Sequence, residues 1–153
     1  MDIRTMPAGR EVLTVYLAGS IDDHDSEEAF TTWRKYATAV LEAAGFRVLD
    51  PFRGRCLRGD DTDDIVGRND CDIRRSDIIL CETNFPGHAY IGTGIDLFKA
   101  WQQGKPVILW GLANRNSHYL KKYGTQWLDT LEEALEFLIA KKAALEAKLG
   151  EGE

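Results

Sequence analysis

DIILCETNFPGHAYIGTGIDLFKAWQQGKPVILW occupies residues 77–110, and its reading decides the fold. DIILCE (77–82) is apolar enough to be a strand buried on both faces. TNFPGHAYIG is a loop, punctuated by Pro86 and Gly87. TGIDLFKAWQQG carries an apolar helical pattern, and KPVILW (105–110) is the next strand. Strand, helix and strand in this order make a βαβ unit, which requires parallel strands.

The same alternation continues in both directions. VLTVYLAG (12–19) is a β-branched and aromatic run ending in glycine, a buried strand. Asp25 and Glu28 have the spacing of a capping box. Behind them Phe30, Trp33, Ala37, Val40, Leu41 and Ala44 recur at helical spacing, up to Gly45. FRVLDP (46–51) is a second strand, stopped by Pro51. After a polar loop, DDIVGRNDCDIRRS predicts a helix with Ile65, Val66, Asn69 and Ile73 along one side. Beyond residue 110, GLANRNSHYLKKYG is a loop holding a helical turn, and TQWLD (125–129) is a final strand. Thr130 and Glu133 form another capping box, opening the last helix.

Five strands alternating with helices predict a single-domain α/β fold of flavodoxin-like or Rossmann-like, doubly wound type. The sheet is five-stranded and parallel, with helices on both faces. The domain spans 12–140, after an N-terminal tail (1–11) and before a charged C-terminal helix end and tail (141–153). Ligands of such sheets bind beyond the carboxyl ends of the strands, at the switch point. The loops there are 19–25, 50–61, 83–93 and 111–118. They gather most of the Gly, Asp, Asn, Ser, Arg and His of the loop regions.

Composition narrows the function. The chain has 153 residues and a net charge of −6, with no basic run able to track a phosphate backbone, so long nucleic acid is not an expected partner. A small anionic ligand needs only a local site. Cys56, Cys71 and Cys81 are an odd count without metal-ligand spacing, read as reduced thiols of a cytoplasmic protein. The start lacks the apolar core of a signal peptide, and no apolar run approaches the roughly 20 residues that span a bilayer. His24, His88 and His118 are scattered, which argues against zinc. Asp60, Asp61, Asp63 and Asp64 lack EF-hand spacing and read as a solvated helix start. Neither a G-x-G-x-x-G pattern, a P-loop nor a G-x-S-x-G elbow is present.

Asp96 carries two readings. Thr93-x-x-Asp96 has capping spacing at a helix start, where the dipole favours a carboxylate by about 0.3–1 kcal/mol. That helix also begins at the ligand edge, and Gly92-Thr93-Gly94 lets a substrate approach the backbone. A dipole-stabilised carboxylate is ionised at neutral pH, as a nucleophile requires. Gly19 and Ser20 form either a simple turn or a contact to sugar or phosphate. Tyr16 points into the core or toward the cleft. Asn69 and Asp72 share one helix face, turned to the cleft or to solvent. An inventory of carboxylate, amide, hydroxyl and arginine suits glycosyl transfer, where a carboxylate attacks an oxocarbenium-like centre.

VYLAGSID, WR with GFRVLDPFRGR, IVGRNDCDIRRSDIILCE and YIGTGIDLFKAWQQGKPVILW together resemble the nucleoside 2-deoxyribosyltransferases and the related nucleoside 5′-monophosphate N-glycosidases, across most of residues 12–138. The resemblance implies that Asp96 attacks the anomeric carbon and expels the base, which a second base or water then replaces. The family usually has Glu there, and Asp is one methylene shorter. Tyr16 would orient the nucleophile, and Gly19 with Ser20 would line the sugar pocket. The family's acidic residue near the departing base aligns with Asn69, with Asp72 the nearest carboxylate. Asp50, Phe52 and Arg53 would lie near the base. Gly92 and Thr93 belong to the substrate-binding set, as does Asn116 in a region that in relatives completes a neighbour's site. Ser20, Arg53, Arg55 and Arg58 are available to a phosphate. The resemblance implies a nucleoside or nucleotide and a free nucleobase as partners, a homodimer or higher homo-oligomer, and neither metal nor organic cofactor. Transfer leads and hydrolysis is the alternative; a catalytically silent nucleotide-binding module, with Asp96 only a cap, is the alternative of another class.

Overall fold

The computed structural model describes residues 12–21, 28–53, 61–86 and 90–151. Asp25, with its capping box, and His24, Arg55, Cys56, Arg58, Asp60 and His88 lie outside the described residues.

The elements are β1 (Thr14–Ala18), α1 (Glu28–Ala43), β2 (Arg47–Leu49), α2 (Thr62–Arg75), β3 (Ile78–Glu82), α3 (Ile91–Gln102), β4 (Val107–Trp110), α4 (His118–Tyr123), β5 (Gln126–Leu128) and α5 (Leu131–Glu151). All strand pairs are parallel, and the order across the sheet is β2-β1-β3-β4-β5. This is the expected doubly wound arrangement, with its switch point between β1 and β3. The last helix runs on to Glu151, so the segment expected to end in a tail is helical for most of its length.

Alternation along the strands builds two cores. Val15, Leu17, Ile78, Leu80, Ile108 and Trp110 face one side and pack on α1 and α5 through Trp33, Leu41, Leu135 and Leu138. Tyr16, Ala18, Ile79, Cys81, Val107 and Leu109 face the other and meet Ile73 of α2, Leu97 and Ala100 of α3, and Leu120 of α4. β1 and β3 are buried along their whole length, as strands covered on both faces must be. At the amino edge Asp77 clamps the two central strands, accepting from the Thr14 N–H at 2.9 Å and donating its own N–H to the Thr14 carbonyl at 2.7 Å.

Local caps follow the sequence. Asp61 caps α2 and accepts from the Asp63 N–H at 3.2 Å, so Asp61, Asp63 and Asp64 serve a helix start. Thr130 accepts from the Glu133 N–H at 3.1 Å, while Glu133 reaches back to the Asp129 N–H at 3.3 Å. The return bond falls one residue earlier than the ideal capping box places it.

Candidate active site

Beyond the carboxyl ends of β1 and β3 lies a cleft of about 560 Å³. Its floor is Tyr16, Ala18 and the Gly19–Ser20 turn; α2 supplies Ile65, Val66, Asn69 and Asp70, and α3 supplies Gly92, Thr93, Ile95, Asp96 and Lys99. Gly92, Asp96 and Lys99 fall at i, i+4 and i+7 and face the cleft, while Leu97 and Ala100 face the sheet.

Asp96 is not a cap. α3 begins at Ile91 with Tyr90 as its N-cap, which makes no side-chain capping bond. Thr93 is therefore the third helical residue and Asp96 the sixth, a turn beyond the free N–H groups where the dipole acts. The expectation of a dipole-stabilised, fully ionised carboxylate is corrected accordingly. Burial raises the Asp96 pKa to about 7; Lys99 opposes that rise, Asp70 adds to it, and the Tyr16 hydrogen bond and Arg34 lower it. Among the described residues, one long hydrogen bond stands in for the water removed from Asp96. The Tyr16 hydroxyl donates to Asp96 Oδ2 at a long 3.5 Å. Burial, then the Asp96 charge, pushes the tyrosine pKa well above its ordinary value, which keeps it a donor. Tyr16 thus belongs to core and cleft together: its ring is buried and its hydroxyl reaches the carboxylate.

A second carboxylate frames the cleft. Glu82 ends β3 and is fully buried. Its Oε1 accepts from the Ser20 N–H at 3.2 Å and the Ser20 hydroxyl at 3.4 Å; its Oε2 accepts from the Asn84 N–H at 2.5 Å and the Tyr90 hydroxyl at 2.6 Å. One side chain therefore ties the turn after β1 to the loop after β3 and to the start of α3. Gly19 is required beside it, since a Cβ there would lie 3.0 Å from Glu82 Cβ and 3.1 Å from Trp33 Cζ2. Arg34 of α1, also fully buried, holds the same turn from beneath, donating to the carbonyls of Phe30 at 2.7 Å, Gly19 at 3.2 Å and Leu17 at 3.4 Å. Its guanidinium lies over the rings of Trp33 and Phe52, and burial lowers its pKa.

The structure brings together Asp96, Tyr16, Asn69, Gly19, Ser20, Gly92 and Thr93. It places five expected members outside the cleft lining. Asp72 is buried outside the cleft lining in a two-pronged pair with Arg53, at 2.7 and 2.8 Å. Arg53 is committed to that pair. Asp50 accepts from the Phe52 N–H at 2.9 Å, and Phe52 stacks on Phe30 at 4.9 Å, so both build the turn after β2. Asn116 is exposed on the loop after β4 and does not line the cleft.

Sequence reasoning missed Glu82, Arg34, Asp70 and Lys99. Two left a signal: Glu82 closes an otherwise apolar strand, and Arg34 sits among Phe30, Ala37 and Leu41 on the buried face of α1.

No protein-family model matches the sequence, and no curated protein matches it. Solved structures share the fold. A 2-desoxiribosyltransferase from Leishmania mexicana aligns with a TM-score of 0.64 over 84% of this chain and 97% of its own, at 18% identity. A conserved protein from Enterococcus faecalis gives 0.62 over 82% and 96%, at 13% identity. A CMP N-glycosidase from Clostridium botulinum gives 0.58 over 82% and 96%, at 19% identity. At these identities the likeness is one of fold, and function has to be argued from the site. The chain has the fold that its resemblance to the deoxyribosyltransferases and N-glycosidases led one to expect.

Proposed function

We propose that this protein cleaves the N-glycosidic bond of a (2′-deoxy)nucleoside, or of its 5′-monophosphate, and transfers the sugar to another nucleobase. The observation that carries the reading is Asp96, a carboxylate on the cleft wall with Tyr16 as its hydrogen-bond donor. An Asp96 oxygen attacks C1′ of the sugar. The C1′–N bond breaks, its electron pair stays on the base nitrogen, and the base takes a proton from solvent. The product is a glycosyl ester on Asp96. A nitrogen of a second base then attacks C1′, loses its proton to solvent and frees the carboxylate.

Each cleft residue has work in this scheme. Tyr16 orients the attacking oxygen. Gly19 and Ser20 line the sugar side. Gly92 offers open space, since a Cβ there would meet nothing within 4 Å. Asn69 hydrogen-bonds the base, and Ile65, Val66 and Ile95 give its ring an apolar wall. Asp96 must be ionised to attack, so turnover follows its titration and levels off above pH of about 7.

Hydrolysis is the second reading. It shares the covalent step, with water as the acceptor, and the fold is equally that of an N-glycosidase. Chromatography of base release decides between them. Deoxynucleosides, ribonucleosides and their monophosphates are each incubated with and without a second base. A new nucleoside formed only with the second base supports transfer. Free base without it supports hydrolysis. No release from any member would remove the enzymatic reading.

A further inference from the structure

Asp70 of α2 and Lys99 of α3, both on the cleft lining, form an ion pair, each side chain about one-third exposed. A pair this exposed contributes little to stability, typically about 0–1 kcal/mol. Its place is more telling. Lys99 follows Asp96 by three residues, so the two residues share one face of α3, the face that lines the cleft. Asp70 approaches from the opposite wall, and both charges line the same cleft as Asp96.

We propose that Lys99 and Asp70 are positioning residues that act as a pair on Asp96, Lys99 favouring its anionic, attacking form and Asp70 limiting that effect. The inference rests on the reading of Asp96 as nucleophile and adds what governs its readiness. Among the described residues, the titratable and charged groups around Asp96 are Tyr16 from β1, Arg34 from α1, Asp70 from α2, Cys81 from β3 and Lys99 from α3. Tyr16 and Cys81 are held protonated by burial, and Arg34 is occupied by three backbone carbonyls. Asp70 and Lys99 are the partly exposed charges of this set, so they can be changed without opening the core. Removing Lys99 takes away the cation with the larger pull on Asp96 and leaves Asp70 facing it unneutralised. Removing the Asp70 charge leaves the ammonium wholly to Asp96. The two substitutions therefore act in opposite directions, which general loosening of the fold would not produce.

The test compares the full chain with Lys99→Met, Lys99→Arg and Asp70→Asn. Carboxyl titration of ¹³C-aspartate-labelled protein, with Asp96 assigned by its loss in Asp96→Asn, gives the midpoint directly. The pH dependence of base release gives it again through function. Lys99→Met should raise the midpoint by about one unit, Asp70→Asn should lower it by about half a unit, and Lys99→Arg should leave it in place. Midpoints that stay fixed, or that move the same way in Lys99→Met and Asp70→Asn, would overturn the pair. If no variant or wild type releases base, the proposed function fails, while the carboxyl titration still judges the pair by itself.

Discussion

Two carboxylates lie close to the switch point and are treated in opposite ways. Glu82 is fully buried and receives four donors, from Ser20, Asn84 and Tyr90. Asp96 is partly exposed to the cleft and, among the described residues, receives one long bond, from Tyr16. A buried carboxylate with every lone pair engaged is structural, because its donors replace the water it lost. One desolvated without that compensation is held in a state that a substrate can relieve. The cleft combines both: Glu82 ties its walls together, and Asp96 is left unsaturated, as the proposed nucleophile must be.

The comparison is broken most severely at the frame. Glu82→Leu strands the donors of three segments and should cost about 3–5 kcal/mol in urea unfolding. Glu82→Gln has one acceptor oxygen where two are used, so either the Ser20 or the Asn84–Tyr90 side loses its partner; about 1–2 kcal/mol is expected.

Asp96→Asn should do the reverse. The Asp96 pKa is raised on folding, from 3.8 to about 7. Its contribution to stability is present below pH 3.8 and is lost as pH rises through about 7. Asn escapes that loss, so the variant should be more stable than wild type at pH 8 by on the order of 2 kcal/mol, with the gain shrinking toward pH 4. Base release should fall by at least about a thousandfold. Thermal unfolding at the two pH values, beside the activity assay, checks both halves; a destabilised variant at pH 8 would place Asp96 with Glu82 as a structural group.

Tyr16→Phe removes the donor to Asp96 without emptying the core. About a tenfold loss of kcat/KM is expected. The acid limb of the pH profile should move to higher pH, because the bond favours the carboxylate. The smallest effect belongs to Thr130→Ala, far from both carboxylates: about 1 kcal/mol of stability from the lost α5 cap, with kcat and KM unchanged.

Strands and most helices were legible because each buries its own apolar pattern. The start of α3 was not. Thr93 and Asp96 have capping spacing, yet the helix begins a turn earlier, at Ile91. Its N-cap, Tyr90, is anchored by its hydroxyl on Glu82 and accepts from the Phe85 N–H at 3.1 Å. That anchor crosses from one element to another, and local spacing carries no trace of it. The same limit explains Asp72. Spacing left its helix face open between cleft and solvent, because its partner, Arg53, lies nineteen positions away on the turn after β2. Asp96 was placed at the ligand edge by the topology of a doubly wound sheet, whereas Tyr16 and the Gly19–Ser20 turn were expected at the cleft through the family resemblance; all four lie on its lining.

The most direct measurement is of the bond itself. Wild-type protein is incubated with a 2′-fluorinated nucleoside, whose electron-withdrawing fluorine slows breakdown of a glycosyl ester. It is then quenched in acid and mapped by peptide mass spectrometry. A sugar adduct on the peptide containing Asp96, absent from Asp96→Asn, is the predicted result. Base release with an adduct on another residue, or with none at all, would contradict Asp96 as the nucleophile.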